Sequence, residues 1–410
     1  MHIAIIGGGI VGFTTALSLH AAVMRATVYE AVGELKPLGV GINLLPHAVR
    51  ELAELGLLDK LRRIGVEIEG LDYHMADGRQ VWSEPRGLAA GYRWPQIAIH
   101  RGRFQLFLRD EVLAALGADA IRPGHQLERF EEDASEVRLH FRGHSAPVAA
   151  DIAIGADGIH SAVRRQFFPG EGRPLWNGVS LYRSTTRMPA SEFGPRMLWA
   201  GHSAQKFIAY PIAQEGDEVL LNWVCDLRTA EAGSEPFEDW NCTAGKDLLL
   251  ERYRDWRWQG VDIPAIIAAA GDVYEFPMVD RDPLPRWSHG RVTLAGDAAH
   301  PMYPIGSNGA TQGIIDARSL AFHLAGEAGP AAALARYEDD RLEPTARIVL
   351  GNRAGGPDKV LELANERASA GGSDLDAVLP VAEREAIAGE YKKLAGFDPE
   401  LLNRRASYSA

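Results

Sequence analysis

The sequence predicts an α/β fold: a Rossmann-like dinucleotide-binding domain, discontinuous along the chain, with a mostly antiparallel β-sheet domain inserted and a helical segment at the C-terminus. Three observations carry this expectation. The chain opens with a βαβ unit, HIAII, IVGFTTALSLHAA and ATVYE, with glycines after the first strand. The middle, about residues 176–279, loses that rhythm and is rich in strand-like runs such as VSLYRSTTRM, KFIAYPIA and EVLLNWVCDL. The first pattern then returns at RVTLAGD, residues 291–297, with a helix behind it.

Taken in order, residues 46–65 (PHAVRELAELGLLDKLRRIG) have helical periodicity, with Pro at the start, where its missing N–H costs nothing. Residues 71–83 read as a hairpin turning at Asp77-Gly78. RGRFQLFLRDEVLAAL, 101–116, is an amphipathic helix, and 125–143 and 146–158 alternate as strands do. Trp256 to Trp258 read as amphipathic helix and turn. From Gly355 the chain is broken by glycine and then charged and helical. The expected division is 1–70, 97–175 and 276–354 for the nucleotide domain, 71–96 and 176–275 for the sheet domain, and 355–410 for the helical segment.

Composition bounds the function. With 410 residues, 46% hydrophobic and 24% charged, the chain reads as a soluble protein of two or three domains. Its apolar runs are far shorter than the ~20 residues of a membrane helix. A strand begins at once, with no basic and apolar leader ahead of it. Two cysteines, Cys225 and Cys242, make no disulfide framework. Both features fit the cytoplasm. A net charge of −12 without a basic stripe argues against nucleic acid as a partner. No His/Cys/Asp/Glu set has metal-ligand spacing, so no metal is expected.

Gly7-Gly8-Gly9-Ile10-Val11-Gly12 satisfies GxGxxG. The first glycine permits the tight turn, the second lets backbone approach a pyrophosphate, and the third lets helix pack on strand. The helix N-terminus then offers free N–H groups to the phosphates. Glu30 ends the second strand, 18 residues beyond Gly12, where a carboxylate accepts from both ribose hydroxyls and repels a 2′-phosphate. The pattern predicts FAD or NAD, not NADP.

Two later segments favour FAD. One is DIAIGADGIHSAVRR, 151–165; the other is GDAAHPMYPIGSNGA, 296–310. With the GxGxxG start, they resemble the FAD-dependent aromatic-ring hydroxylases, single-component flavoprotein monooxygenases of the para-hydroxybenzoate hydroxylase fold. The resemblance covers about residues 1–350. PLGVGIN, VWSEPRG, IHRG, NWVC and YEFPMVDRDPLPRW are similar to the phenazine-modifying branch, the 5-methylphenazine-1-carboxylate 1-monooxygenases.

The resemblance implies roles by position. Asp297 would hold the flavin ribityl chain, Asp157 would lie near the pyrophosphate, and Arg101 would contact the cofactor. Gly41, in PLGVGINLLP, would pass closest to the isoalloxazine ring. Pro301 and Pro304 would stiffen the wall beside the ring. Gly306, Asn308, Gly309 and Ala310 would start a helix whose N–H groups aim at the ring edge, where charge gathers on reduction. A transient NADH or NADPH, with no separate nucleotide domain, would supply electrons. O2 would be the co-substrate, reacting through a flavin C4a-hydroperoxide. A helix-to-strand turn that usually holds glycine reads Val23-Met24-Arg25 here.

The substrate, a small aromatic or N-heteroaromatic, is expected between the middle sheet and the flavin. Candidate contacts are Tyr182, Arg183, His202, Tyr210, Asn222 and Trp223 from the sheet, with Met302 and Tyr303 from the late loop. Tyr210 is the first choice for a phenol or carboxylate contact; with Pro301 and Gly306 it is also the expected positioning group for catalysis. A flavin oxidoreductase that never oxygenates and a FAD-binding sensor remain alternatives, and a homodimer is an expectation only. Trp256, Trp258, Ile263 and Pro264 fall three residues out of step with the Trp-x-Trp-x-Ile-Pro of flavin-dependent halogenases.

Overall fold

The computed structural model describes residues 1–234, 242–258, 260–327, 329–369 and 374–409. Its nucleotide domain is built on a five-stranded parallel sheet. The order is Val292–Leu294, Ile152–Gly155, His2–Ile6, Arg25–Tyr29 and Ile121–Arg122. Ile3, Ala4 and Ile5 are fully buried, as a continuous apolar run covered on both faces requires. The chain leaves His2–Ile6 toward Arg25–Tyr29 on one side and returns to Ile152–Gly155 on the other. The crevice at the carboxyl ends of these strands is therefore a topological switch point, the place where such sheets bind ligands.

The second sheet has eight strands. Its order is Thr243–Ala244, Val273–Asp280, Leu175–Pro189, Glu218–Arg228, Gln205–Glu215, Arg196–His202, Gly70–His74 and Gln80–Pro85. All neighbours are antiparallel except Arg196–His202 with Gly70–His74. One face packs a core of Phe207, Trp223, Tyr253 and Ile267. The other packs Tyr73, Trp199, Tyr210 and Ile212 against Val360, Leu361 and Leu379 of the C-terminal segment. A small antiparallel sheet of Gly41–Leu44, Gln96–His100 and Gly65–Ile68 lies between the two larger ones.

Two local expectations are corrected. Residues 46–65 form two helices, Pro46–Glu54 and Leu58–Ile64, because Gly56 takes φ +73° between them. Arg257–Trp258 pairs with Val261–Asp262 as a strand hairpin, not a helix; Asp262 then caps the helix Ile263–Ala268 by accepting from the Ala265 N–H at 2.9 Å. Val23 stands in the turn where a glycine is usual, with φ +60°, and is almost fully exposed. The hairpin at Asp77-Gly78 is as expected, with Gly78 at φ +87°.

The C-terminal helices Lys359–Ser369, Val381–Leu394 and Pro399–Arg404 fold back over both domains. The Tyr92 hydroxyl donates to the Phe397 carbonyl at 2.6 Å, and Arg50 Nη1 donates to the Arg405 carbonyl at 3.0 Å. Among the described residues, no helix is long and apolar enough to cross a membrane.

Candidate active site

Glycine geometry shapes the first half of the site. Gly7 has φ +106°, and a Cβ there would lie 2.5 Å from the Ala156 carbonyl oxygen. A Cβ on Gly12 would lie 1.9 Å from the Gly7 carbonyl oxygen, so helix and strand could not approach as they do. Gly9, by contrast, faces open space. Val11 points away from the crevice: its side chain fills notches left by Gly296 and Gly313, which joins the first helix to the late Gly-Asp turn. Ile10 is buried and Val11 half-buried against those glycines, so both turn backbone toward a ligand.

These strand ends open into a large cleft lined by Gly7, Gly9, Glu30, Arg101, Gln105 and Asp157 among others. Glu30 Oε2 accepts from the Gly8 N–H at 2.5 Å and Oε1 from the Val32 N–H at 2.9 Å, which holds the carboxylate at the rim. Gln105, unnoticed in the sequence, donates to the Gly8 carbonyl at 2.7 Å and fixes the same turn. Asp157 Oδ2 accepts from the Ala162 N–H at 2.7 Å, while Oδ1 is buried with no protein partner. Burial pushes the Asp157 carboxyl up. A glycine cradle that a Cβ would fill and an orphaned carboxylate oxygen together fit a bound FAD.

The late turn closes the same crevice. Asp297 borders the site; desolvation by the surrounding protein pushes its carboxyl up, while His300 and Arg101 pull it down. Its Oδ1 lies 3.9 Å from where a Gly309 Cβ would sit, so the helix Gly309–Gly326 begins directly opposite. Behind them runs a buried polar chain. Asn308 Oδ1 accepts from Gln312 at 3.1 Å, Gln312 Oε1 from Arg341 at 2.7 Å, and Asp316 Oδ1 from Arg341 Nε at 2.8 Å. Asp316 Oδ2 accepts from the Gly296 N–H at 2.9 Å and lies 2.5 Å from His300 Nε2. This chain fixes the Asp297 turn and the helix head relative to each other. Pro301 is buried behind that turn, and Pro304 is exposed beside Gly306.

The sheet forms the third wall. The Gly41 carbonyl accepts from Arg183 Nη2 and from the Tyr210 hydroxyl, each at 3.0 Å, and the Gly41 N–H donates to Asn222 Oδ1 at 2.6 Å. Three expected substrate contacts thus grip the backbone of one glycine. Arg183 and Tyr210 also line a chamber with Trp199, Lys206, Asp226 and Pro304. Leu38, a few residues before Gly41, lines the nucleotide cleft, so this segment runs from one space to the other.

Other expected contacts face elsewhere, and alternation explains why. Asn222, Val224 and Asp226 share one side of their strand, so Trp223 must point to the other; it is fully buried and donates to Thr186 Oγ1 at 3.0 Å. Tyr182, next to Arg183, likewise points away and donates to Glu275 at 3.0 Å. His202 ends its strand and accepts from the Ala204 N–H at 3.3 Å. Met302 packs with Tyr92, Tyr391 and Phe397, away from the chamber. Tyr303 joins Leu181, Val224 and Met278 at the chamber's edge, where burial pushes its hydroxyl up to about 12. Lys206, Asp226, Trp199 and Asp358 were missed. The first two follow from the alternation that picks out Tyr210 and Asn222.

A crevice that admits a dinucleotide against bare backbone, joined through one glycine segment to a chamber for a small molecule, defines a flavoprotein oxidoreductase. The chain belongs to the FAD binding domain family, whose model matches residues 1–351, and it is a flavin-dependent aromatic-ring monooxygenase. Phenazine 1,6-dicarboxylic acid hydroxylase PhzS of Lysobacter antibioticus is 41% identical over 362 residues, 86% of this chain and 89% of its own. 3-Amino-4-hydroxybenzoate 2-monooxygenase PtnB3 of Streptomyces platensis is 32% identical over 417 residues, 98% of each. The structure of Klebsiella pneumoniae HpxO complexed with FAD and uric acid superposes with TM-score 0.76 at 23% identity, over 98% of this chain and 96% of that one; the likeness there is one of fold.

Proposed function

We propose that this enzyme hydroxylates a small carboxylated aromatic or N-heteroaromatic ring, phenazine-like or an aryl acid, with FAD, O2 and NADH or NADPH. Gly7, Gly9 and Gly12 would hold the pyrophosphate with Asp157 and Arg101, Glu30 the ribose, and Asp297 the ribityl chain. Gly41 and the segment Gly306–Ala310 would border the flavin ring. When bound and reduced by the nicotinamide nucleotide, FAD activates O2 and supplies an electrophilic oxygen atom. The protein's part is to position the ring carbon, to present helix N–H groups to developing charge, and to keep water out.

The observation that carries this reading is the triple grip on Gly41. Tyr210, Arg183 and Asn222 tie the sheet that lines the chamber to the backbone expected beside the flavin, so substrate and cofactor are held in one rigid frame. Tyr210 is thus a positioning residue. The similarity of the relatives that act on phenazine and aminohydroxybenzoate carboxylic acids supports the substrate class. We extend the proposal to the domain division at residues 70, 96, 175, 275 and 354, and to a homodimer acting in the cytoplasm with no nucleic-acid partner.

The test is NAD(P)H oxidation with a panel of phenazine carboxylates and hydroxybenzoates under ¹⁸O2. Label in a hydroxylated product supports the proposal. Peroxide as the sole product with every compound would favour an oxidoreductase that does not oxygenate.

A further inference from the structure

The chamber beside Gly41 has a neighbour. A second, smaller space shares Met197, Trp199, Gly306 and Ser307 with it, so the two adjoin along one wall. Their charges differ. In the first compartment Lys206 sits 3.0 Å from Asp226 and also contacts Asp358, and Arg183 is alongside. Two cations face two carboxylates, and the formal charges cancel. Apart from Trp199 Nε1 on the shared wall, the buried atoms left without partners there, among the described residues, are one donor, Arg183 Nε, and one acceptor, Asp226 Oδ1. That pair suits a neutral polar edge, such as a hydroxyl or a ring N–H.

The second compartment holds Glu84, Arg86 and Lys392. Glu84 pairs with Arg86 and, at 3.1 Å, with Lys392, which comes from the C-terminal helix Val381–Leu394. Two cations face one carboxylate, which leaves one positive charge in excess. Among the described residues its unpartnered buried atoms are both donors, Arg86 Nε and, on the shared wall, Trp199 Nε1, and both residues are buried. Buried donors without acceptors are costly, and a cavity that keeps two of them is complementary to a ligand that supplies acceptors.

We propose that this second compartment is the carboxylate subsite. The ring carboxylate accepts from Arg86 Nε and Trp199 Nε1, with Lys392 adding charge, while the ring system extends over Met197 into the neutral compartment beside the flavin. The proposal rests on the reading of the substrate as an aromatic acid, and it assigns the acid-binding role to Arg86 rather than to Tyr210 or Arg183. It also gives residues beyond 354 a part in choosing the substrate.

The experiment titrates the FAD-loaded enzyme with phenazine-1-carboxylate and with its methyl ester, following the flavin absorbance change. Wild type, Trp199→Phe and Arg86→Gln are compared. Charge-assisted hydrogen bonds imply an acid affinity lowered about 10-fold by Trp199→Phe and about 100-fold by Arg86→Gln, with ester affinity within about 2-fold of wild type. Trp199→Phe removes one N–H while keeping a buried ring, so it reads the subsite even where Arg86→Gln folds poorly. Equal losses for acid and ester, or no loss for the acid, would overturn the subsite. Failure of the aromatic-acid reading shows separately, as wild type that inserts no oxygen into any aromatic acid; binding of acid against ester still decides the subsite.

Discussion

The Tyr391 hydroxyl accepts a hydrogen bond from Asn308 Nδ2 at 2.7 Å and donates one to Asn352 Oδ1 at 2.8 Å. A residue of the C-terminal helix thereby holds the residue that precedes the helix Gly309–Gly326. The fit is close: a Cβ on Gly306, whose φ is +71°, would fall 2.2 Å from the Tyr391 hydroxyl oxygen. Tyr391→Phe removes both bonds and leaves two buried amides short of a partner, at about 2 kcal/mol. Chemical denaturation should show that loss, and FAD should dissociate several-fold more readily because the helix head is no longer pinned. Unchanged flavin retention would separate the C-terminal segment from the cofactor.

Much of this arrangement was legible and some was not, for identifiable reasons. Gly7, Gly9, Gly12 and Glu30 announce their geometry because close backbone approach and an acidic strand end leave fixed spacings. The division between parallel and antiparallel regions shows in the change of rhythm near residue 176. Residue type alone does not separate the sheet residues: Tyr182 with Arg183, and Asn222 with Trp223, are adjacent pairs of which strand alternation lets only one member face the chamber. The C-terminal residues Tyr391 and Lys392 gave no signal, because an amphipathic helix shows that it packs but not what it packs against.

Acid should expose the buried chain behind the Asp297 turn. Burial raises the Asp316 carboxyl, but His300, Arg341 and the Gly296 N–H outweigh it and hold the group at about 2. The folded value lies below the unfolded one, so the ionised carboxylate contributes stability above the unfolded value of about 4, and that stability fades as pH falls toward about 2. The contribution is about 2 kcal/mol. Asp316→Asn should therefore be less stable than wild type at pH 7, with the gap narrowing below pH 4. A gap independent of pH over that range would mean that the carboxylate charge is not what the network uses.

Val23 sits at φ +60° with its side chain in solvent. A β-branched residue in the left-handed region costs about 1–2 kcal/mol, and nothing packs against it in return. Val23→Gly relieves the strain but adds freedom to the unfolded chain, about 0.5–1 kcal/mol. The net expectation is a gain of up to about 1 kcal/mol in thermal unfolding with unchanged turnover. A clear loss of stability would show that the turn is not strained.

Lys206 makes the converse case, a charge that holds other charges. Its ammonium is buried between Asp226 and Asp358; burial lowers its pKa, but the two carboxylates more than offset this, so it stays protonated. Lys206→Met keeps the stem and removes the cation. Two carboxylates then face each other in a buried space with Arg183 as the nearest remaining counter-charge. Removing one partner from such a cluster costs about 3–5 kcal/mol, far more than an exposed pair. The sign of the pH dependence follows. Burial already raises the Asp226 carboxyl, and loss of the Lys206 charge raises it further, so the variant is least destabilised in acid and loses stability as pH climbs through the carboxylate range. Denaturant midpoints at pH 5 and pH 8 should therefore diverge for Lys206→Met more than for wild type. Adding Asp226→Asn should recover part of the loss at pH 8, because one of the two uncompensated charges is then gone. Equal midpoints at both pH values, or no recovery in the double variant, would show that the ammonium is not what balances these carboxylates.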